Sequence, residues 1–311
     1  MQTIEARPRL GSLEAARFVR LLYRRHQHVR FYRRFYEAHS ITPLSSLNPQ
    51  KYKHSDTIFI LGSGASINNI TARQWSVINK HDSLGFNFWP FHEFVPTYYM
   101  FEFFNRDFQK IDQLMSLLSL KSPHYRDTPI IAKDLHNFSD SEKLHLLNLI
   151  PAELRTKTFS AIDFLRISSP SIGSLERSLT YLKFFGVFSR KHNHCEYLLN
   201  NYTGSLLPIT YLCYKYGYKN IVLCGVDLNN NRYFYERMRE TYLRKGVEMP
   251  ETPAGRNGNH MTNDNTRKNA LPIAEILRIF NEQVYRAANI NLYVAFKSSA
   301  LHPALPNYFD Y

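Results

Sequence analysis

Residues 56–67 read Asp-Thr-Ile-Phe-Ile-Leu-Gly-Ser-Gly-Ala-Ser-Ile, an apolar run that stops at Gly62, Ser63 and Gly64, with Ser66 just beyond. Unbroken apolar runs of this length are how strands buried on both faces of a parallel sheet are written. Glycines after such a run let the chain turn tightly and approach a ligand closely. A helix beginning near Ser66 would offer its first amides to an anion. The expectation is therefore the first strand–loop–helix unit of a nucleotide-binding α/β fold. A plain structural turn stays open as the alternative, because the third glycine of the dinucleotide fingerprint is absent. The Gly-Lys-Ser/Thr ending of a P-loop is missing too, which disfavours a classical ATP or GTP hydrolase.

The rest of the chain keeps this rhythm. Strands are predicted over 56–61, 83–87, 97–101, 129–132, 157–160, 219–225 and 290–295. Helices are predicted over 68–79, 106–120, 140–149, 206–216 and 266–288. Strands alternating with helices argue for a largely parallel sheet in an α/β fold. Two stretches fit poorly: 161–202, long and aromatic, and 229–264, dense in Asn, Arg, Tyr and Gly. Long aperiodic segments inside a domain are often lids or binding loops. The second follows the well-formed strand ending at Asp227, and ligands of open α/β sheets sit beyond the carboxyl ends of strands. Loop 229–264 is the active-site candidate on position.

The 311 residues, 44% of them hydrophobic, suffice for one large α/β domain with additions or for two small domains. There is no apolar run of about 20 residues, so no transmembrane helix is expected. The first residues lack the order of a secretory signal. Cys195, Cys213 and Cys224 fit no disulfide or zinc spacing, and a reducing cytoplasm is the simplest compartment.

The net charge of +13 favours an anionic partner. Nine arginines lie between Arg7 and Arg34, interleaved with aromatic and aliphatic residues such as Phe18, Tyr23, Phe31 and Phe35. Residues 1–45 are read as a basic amphipathic helical extension, its helix within 1–40, and 41–55 as a linker with Pro43 and Pro49. Residues 7–36 would suit an anionic membrane surface. Packing of the helix on the main domain and RNA binding are the other readings, although no RNA-recognition or helix-turn-helix pattern is present.

Past Asp227 come Asn229, Asn230, Asn231, Arg232, Tyr233 and Tyr235. Tyrosine hydroxyls and an arginine can hold a phosphate without a metal. The alternative is a polar surface loop with aromatic anchors, in which Asp227 caps backbone amides. His260 sits in a Gly/Asn-rich loop, and its ordinary pKa suits proton transfer near neutral pH. An exposed histidine without a role stays open, as does a helix N-cap at Asp264 or Thr266. No His-Glu-x-x-His, paired Cys-x-x-Cys or post-strand Asp-x-Asp is present, so no metal site and no cofactor are expected. No Gly-x-Ser-x-Gly elbow is present either.

Three segments together resemble the bacterial sialyltransferases of glycosyltransferase family 42. Ile60-Leu-Gly-Ser-Gly-Ala-Ser66 is similar to that family's Gly-Asn-Gly-Pro-Ser loop. Tyr202-Thr-Gly-Ser205, a helix, and 217–227 resemble its Thr-Ser-Gly block, helix and Gly-Tyr-Lys-Glu-Ile-Tyr-Leu-Ser-Gly-Ile-Asp strand. Residues 291–299 look like the last strand and its serine loop, which contains Ser298. The match covers about 56–105 and 200–305, by motif rather than close identity.

The resemblance implies a single Rossmann-like domain over 56–311, a GT-A-like variant with a lid near 229–264. It implies an inverting, metal-independent transfer of sialic acid or a related acid sugar from a CMP donor to a glycan or glycolipid hydroxyl. That acceptor would be of lipopolysaccharide or capsule type. Donor contacts would fall on Gly62, Ser63, Gly64, Ser66, Asn87, Thr203, Gly204, Ser205, Asp227, Asn229, Arg232 and Ser298. Tyr233 and Tyr235 would serve the leaving phosphate and His260 would be the catalytic base. The family's asparagine after the third strand falls near Glu102, and a second phosphate tyrosine falls on Asn229; both are departures. The expected setting is the cytoplasm, peripheral on the inner membrane face, with no nucleic-acid partner and with homo-oligomers allowed. The competing readings are a phosphotransfer enzyme with a pterin pyrophosphokinase-like sheet and a non-enzymatic lipid- or nucleic-acid-binding protein.

Overall fold

Seven apolar runs become the strands of one sheet. In a computed structural model, residues 12–104, 107–167, 170–190, 195, 197–201, 204–251, 259–263 and 271–310 are described. The strands are β1 (Thr57–Leu61), β2 (Asp82–Phe86), β3 (Tyr98–Glu102), β4 (Ile130–Lys133), β5 (Thr158–Ser160), β6 (Asp163–Ile167), β7 (Leu198–Asn201), β8 (Asn220–Cys224) and β9 (Asn291–Val294). The main sheet has the order β5-β4-β3-β2-β1-β8-β9, with every pairing parallel. Ile58, Phe59 and Ile60 in β1 are wholly buried, as a strand covered on both faces must be. The chain steps outward from β1 to β5, then returns to place β8 on the other side of β1. The C-terminal ends of β1 and β8 therefore flank the point where the order reverses, where open parallel sheets form a crevice.

The α-helices are α1 (Ser12–Ala38), α2 (Ala72–Ile78), α3 (Phe108–Tyr125), α4 (Asp140–Leu149), α5 (Ala152–Arg155), α6 (Ile172–Phe184), α7 (Leu206–Lys215), α8 (Arg239–Leu243) and α9 (Ile273–Phe280). The boundaries of α2 and α4 follow from capping boxes, Thr71 with Gln74 and Ser139 with Glu142. The helix expected over 68–79 therefore starts at Ala72. Residues 65–69 form only a 3-10 turn, so no helix N-terminus stands at Ser66. In place of the 266–288 helix, α9 passes into a π-helical turn at Asn281–Tyr285, and 264–270 lie outside the described residues.

The described part of the stretch 161–202 is not structureless. It holds β6, α6 and β7, with β6 and β7 forming a separate parallel pair. β6 reads Asp-Phe-Leu-Arg-Ile and β7 Leu-Leu-Asn-Asn, so neither is an unbroken apolar run. Segment 41–55 is also more ordered than a linker. The Ser160 amide donates to the Thr42 carbonyl at 2.8 Å, Leu44 and Leu47 are buried, and the His54 and Ser55 amides donate to Asp82.

Helix α1 lays one face on this body. Val29, Tyr32, Phe35 and Tyr36 are buried in the common core. The Tyr32 hydroxyl donates to the His136 carbonyl at 3.0 Å, and the Lys143 ammonium lies 4.7 Å from the Tyr32 ring centre and 4.8 Å from that of Phe35. Among the described residues no helix is long and apolar enough to cross a membrane.

Candidate active site

The ends of β1 and β8 touch. The Gly62 amide donates to the Cys224 carbonyl at 2.8 Å, and the Gly64 amide to the Gly225 carbonyl at 2.8 Å. A Cβ on Gly62 would lie 2.6 Å from the Gly225 oxygen, and one on Gly64 would lie 2.6 Å from Asp227 Oδ2. These glycines are required so that two strand ends can meet. The Ala65 amide donates to the Arg232 carbonyl at 3.1 Å, and the Ser66 amide to Asp227 Oδ2 at 3.1 Å. The amides expected to cradle an anion are thus bonded within the protein. Ser66 is buried, its hydroxyl also donates to Asp227, and it serves to fix that carboxylate. Asp227 in turn caps the loop through amide and hydroxyl donors.

Beyond Asp227 the chain is stitched to the glycine loop. Phe234 donates its amide to the Ser63 carbonyl at 3.0 Å, and Tyr233 forms an antiparallel bridge with Gly64. Phe234 is wholly buried, its ring 5.4 Å from that of Trp89 and 5.6 Å from that of His92. With Phe234 as the anchor, Tyr233 and Tyr235 stack with ring centres 5.2 Å apart, and both line a cavity. Burial, with Glu236 as a lesser cause, pushes the Tyr233 hydroxyl up to about 12. Burial pushes that of Tyr235 well above the usual tyrosine range. Both are therefore O–H donors at neutral pH.

The anchor carries a pH dependence. Burial of His92 lowers its pKa from 6.5 to about 4. Between these values the unfolded imidazole binds more protons than the folded one, so folding stability is full above pH 6.5 and falls as pH drops towards 4. Denaturant midpoints across this window should decline towards acid, and His92→Gln should flatten the decline. An unchanged slope in the variant would assign the dependence to other groups.

His260 is placed beside Tyr233. Its amide donates to the Leu228 carbonyl at 3.1 Å, and its Nε2 lies 3.4 Å from the Tyr233 hydroxyl. Its Nδ1 lies 2.9 Å from Thr262 Oγ1 and 3.3 Å from the Thr262 amide. The hydroxyl can accept from a protonated Nδ1, which is the tautomer a base at Nε2 requires; the amide favours the other tautomer. Thr262 rests on Gly204, whose φ is +136° and where a Cβ would lie 2.9 Å from the threonine methyl. The glycine lets the 204–205 turn meet the His260 loop.

The cavity between these walls has a volume of about 290 Å³. It gathers Ser63, Gly64, Asn87, Gly204, Ser205, Asp227, Arg232, Tyr233, Tyr235 and His260 from segments far apart in sequence. A second cavity of about 470 Å³ shares Asp227, Arg232 and Tyr233 and is lined by Ser66, Asn229 and Ser298. Asn229 Nδ2 donates to the Ser298 carbonyl at 2.6 Å. Gly62 lines neither cavity. Thr203 lies outside the described residues. The described part of the 229–264 segment is well packed: Phe234, Tyr242, Val247 and Met249 are buried, and Tyr242 donates to the Phe91 carbonyl at 3.0 Å.

Glu102 is the feature that motif reading left without a role. It ends β3, lines the 290 Å³ cavity, and accepts a hydrogen bond from the Ser205 hydroxyl. Its amide donates to Asn87 Oδ1 at 3.2 Å, and Asn87 turns the chain after β2 with φ 51°. Behind it Lys133, 3% exposed, ion-pairs with Asp134 and sits 3.5 Å from Glu102 Oε2. The β3–β4 register pairs Glu102 with Lys133. The only trace in sequence is that each charged residue closes an apolar run.

The fold and crevice thus define a parallel α/β protein with a polar, tyrosine-lined site at its switch point. No family model and no curated protein matches the chain. Two solved sialyltransferases are similar to it. One is the monofunctional α-2,3-sialyltransferase Cst-I from Campylobacter jejuni, at 17% identity over 82% of this chain and 81% of that one, with TM-score 0.45. The other is a Cst-II sialyltransferase in complex with CMP, at 15% identity over 81% of this chain and 86% of that one, with TM-score 0.44.

Proposed function

We propose that this protein is a glycosyltransferase that moves sialic acid or a related acid sugar from a CMP donor to a hydroxyl of a glycan acceptor. The observation that carries this is the meeting, in one cavity, of two tyrosines and a histidine, beside Ser63, Asn87 and Ser205. The motif resemblance supplies the nature of the donor. In the reaction the bond between the anomeric carbon and a phosphate oxygen breaks, and CMP leaves with the electron pair. Tyr233 and Tyr235 donate hydrogen bonds to the growing phosphate charge, and Arg232 faces the same oxygens. His260 takes the proton of the acceptor hydroxyl as the new carbon–oxygen bond forms on the opposite face, which inverts the anomeric centre. No step calls for a metal, since O–H donors and a guanidinium carry the charge.

The test is a thermal-shift screen of nucleotides in the presence of EDTA. CMP at about 100 times its Kd should stabilise the protein by about 2.7 kcal/mol. Stabilisation by ATP with magnesium, and none by CMP, would move the assignment to phosphotransfer.

A further inference from the structure

Packing accounts for only one face of α1. On the opposite face Arg20, Arg24, Gln27, Phe31 and Arg34 follow one another at three- and four-residue steps, and all are exposed. Val19, Tyr23 and Phe31 are 48%, 64% and 56% exposed. Among the described ion pairs none involves Arg17, Arg20, Arg24, Arg30 or Arg34. Like charges four residues apart on a helix repel, as Arg20 with Arg24 and Arg30 with Arg34 must. An external anion would relieve that repulsion.

A second exposed aromatic element flanks α1, joined to it through Phe18 of its packed face. Phe18 stacks on Tyr181 of α6 at 4.8 Å and on Phe185 at 5.7 Å, and Phe185 touches Phe184 edge-on at 5.2 Å. Phe184 is 70% exposed and Phe185 is 41% exposed, in a turn closed by Gly186 with φ 69°. A large aromatic ring left in water at a turn tip, beside an arginine-rich helix, has no role in the core. We propose that the outer face of α1 and the Phe184–Gly186 turn form one docking surface for an anionic lipid bilayer. Arginines would meet headgroup phosphates while Phe184, Phe31 and Tyr23 enter the interfacial layer, the two contributions that bind interfacial helices. A nucleic acid would satisfy the arginines but would leave Val19 and Leu21 in water, so charge and apolar exposure together favour lipid. The inference is independent of the chemistry in the cavity.

The test uses the full chain and vesicles of phosphatidylcholine, alone or mixed with phosphatidylglycerol. Co-sedimentation should occur with the mixed vesicles only and should weaken with salt. Arg20→Gln combined with Arg24→Gln should weaken binding by roughly thirtyfold, each arginine contributing about fivefold. Phe184→Ser should weaken it by about tenfold, with the melting temperature unchanged because the side chain is exposed. In a Phe184→Trp variant, mixed vesicles should shift the emission to the blue relative to the parent protein. Wild-type binding by Phe184→Ser, or no emission change, would remove the α6 turn from the surface. Equal binding to neutral vesicles, or binding to homopolymeric RNA with none to either vesicle, would overturn the proposal.

Discussion

His260→Ala lowers kcat by about 10²–10⁴-fold, the typical contribution of a positioned general base, and leaves CMP affinity nearly unchanged. The expected separation rests on its place: the histidine lines the cavity beside Tyr233 and is not part of the glycine loop that follows β1. Base action needs a free lone pair on Nε2, hence a proton on Nδ1, which Thr262 Oγ1, 2.9 Å away, is placed to accept. Thr262→Val removes that acceptor but keeps the methyl that rests on Gly204. It should lower kcat less than His260→Ala does, without loss of thermal stability. Steady-state kinetics with donor saturating and acceptor varied measure both effects. Wild-type kcat in His260→Ala would take the residue out of the mechanism.

The paired replacement Tyr233→Phe with Tyr235→Phe keeps both rings and their stacking and removes both O–H donors. The expected loss of transition-state stabilisation is about 2.7–4 kcal/mol, or roughly 10²–10³-fold in kcat, the size found for removing a preorganised donor. Burial keeps the hydroxyls protonated, with that of Tyr233 at about 12, so the effect should be flat with pH through the neutral range. Tyr233 also lies 3.4 Å from His260 Nε2, so the two sites share a partner. Effects of Tyr233→Phe and His260→Ala should therefore be non-additive, by about 0.5–3 kcal/mol in a double-mutant cycle. Donor kcat/KM that barely moves in the paired variant would make the tyrosines anchors only.

Residues near these two groups show where sequence reading succeeds and where it stops. The seven strands of the main sheet all fall on segments expected as strands; β1, β2 and β8 run into glycine or asparagine, and β3 and β4 close on a charge. Burial on both faces writes that pattern directly into composition. The grouping of Ser63, Asn87, Ser205, Tyr233 and His260 was what the resemblance to family 42 implied, and all five line one cavity. The glycine loop shows a physical limit of motif reading. Gly-Ser-Gly after a strand signals a close approach, but it does not say whether a ligand or a second strand end is approached. Here β8 is approached, and the amides of Gly62, Gly64, Ala65 and Ser66 bond within the protein.

The sequence by itself determined the parallel α/β architecture, the basic character of α1 and the residue types available for chemistry. All of these follow from local periodicity, charge and chain order. Tertiary structure alone decided which of those residues meet. Sheet order brought β8 against β1 and so set Asp227 on Ser66. The β3–β4 register put Lys133 behind Glu102 and gave the cavity a carboxylate. Packing also divided α1 into a buried face at Val29, Tyr32 and Tyr36 and an exposed one at Arg20, Arg24 and Phe31. Arginine spacing could not show that division, because a helix with aromatic residues on both sides has no preferred face until a partner surface covers one of them.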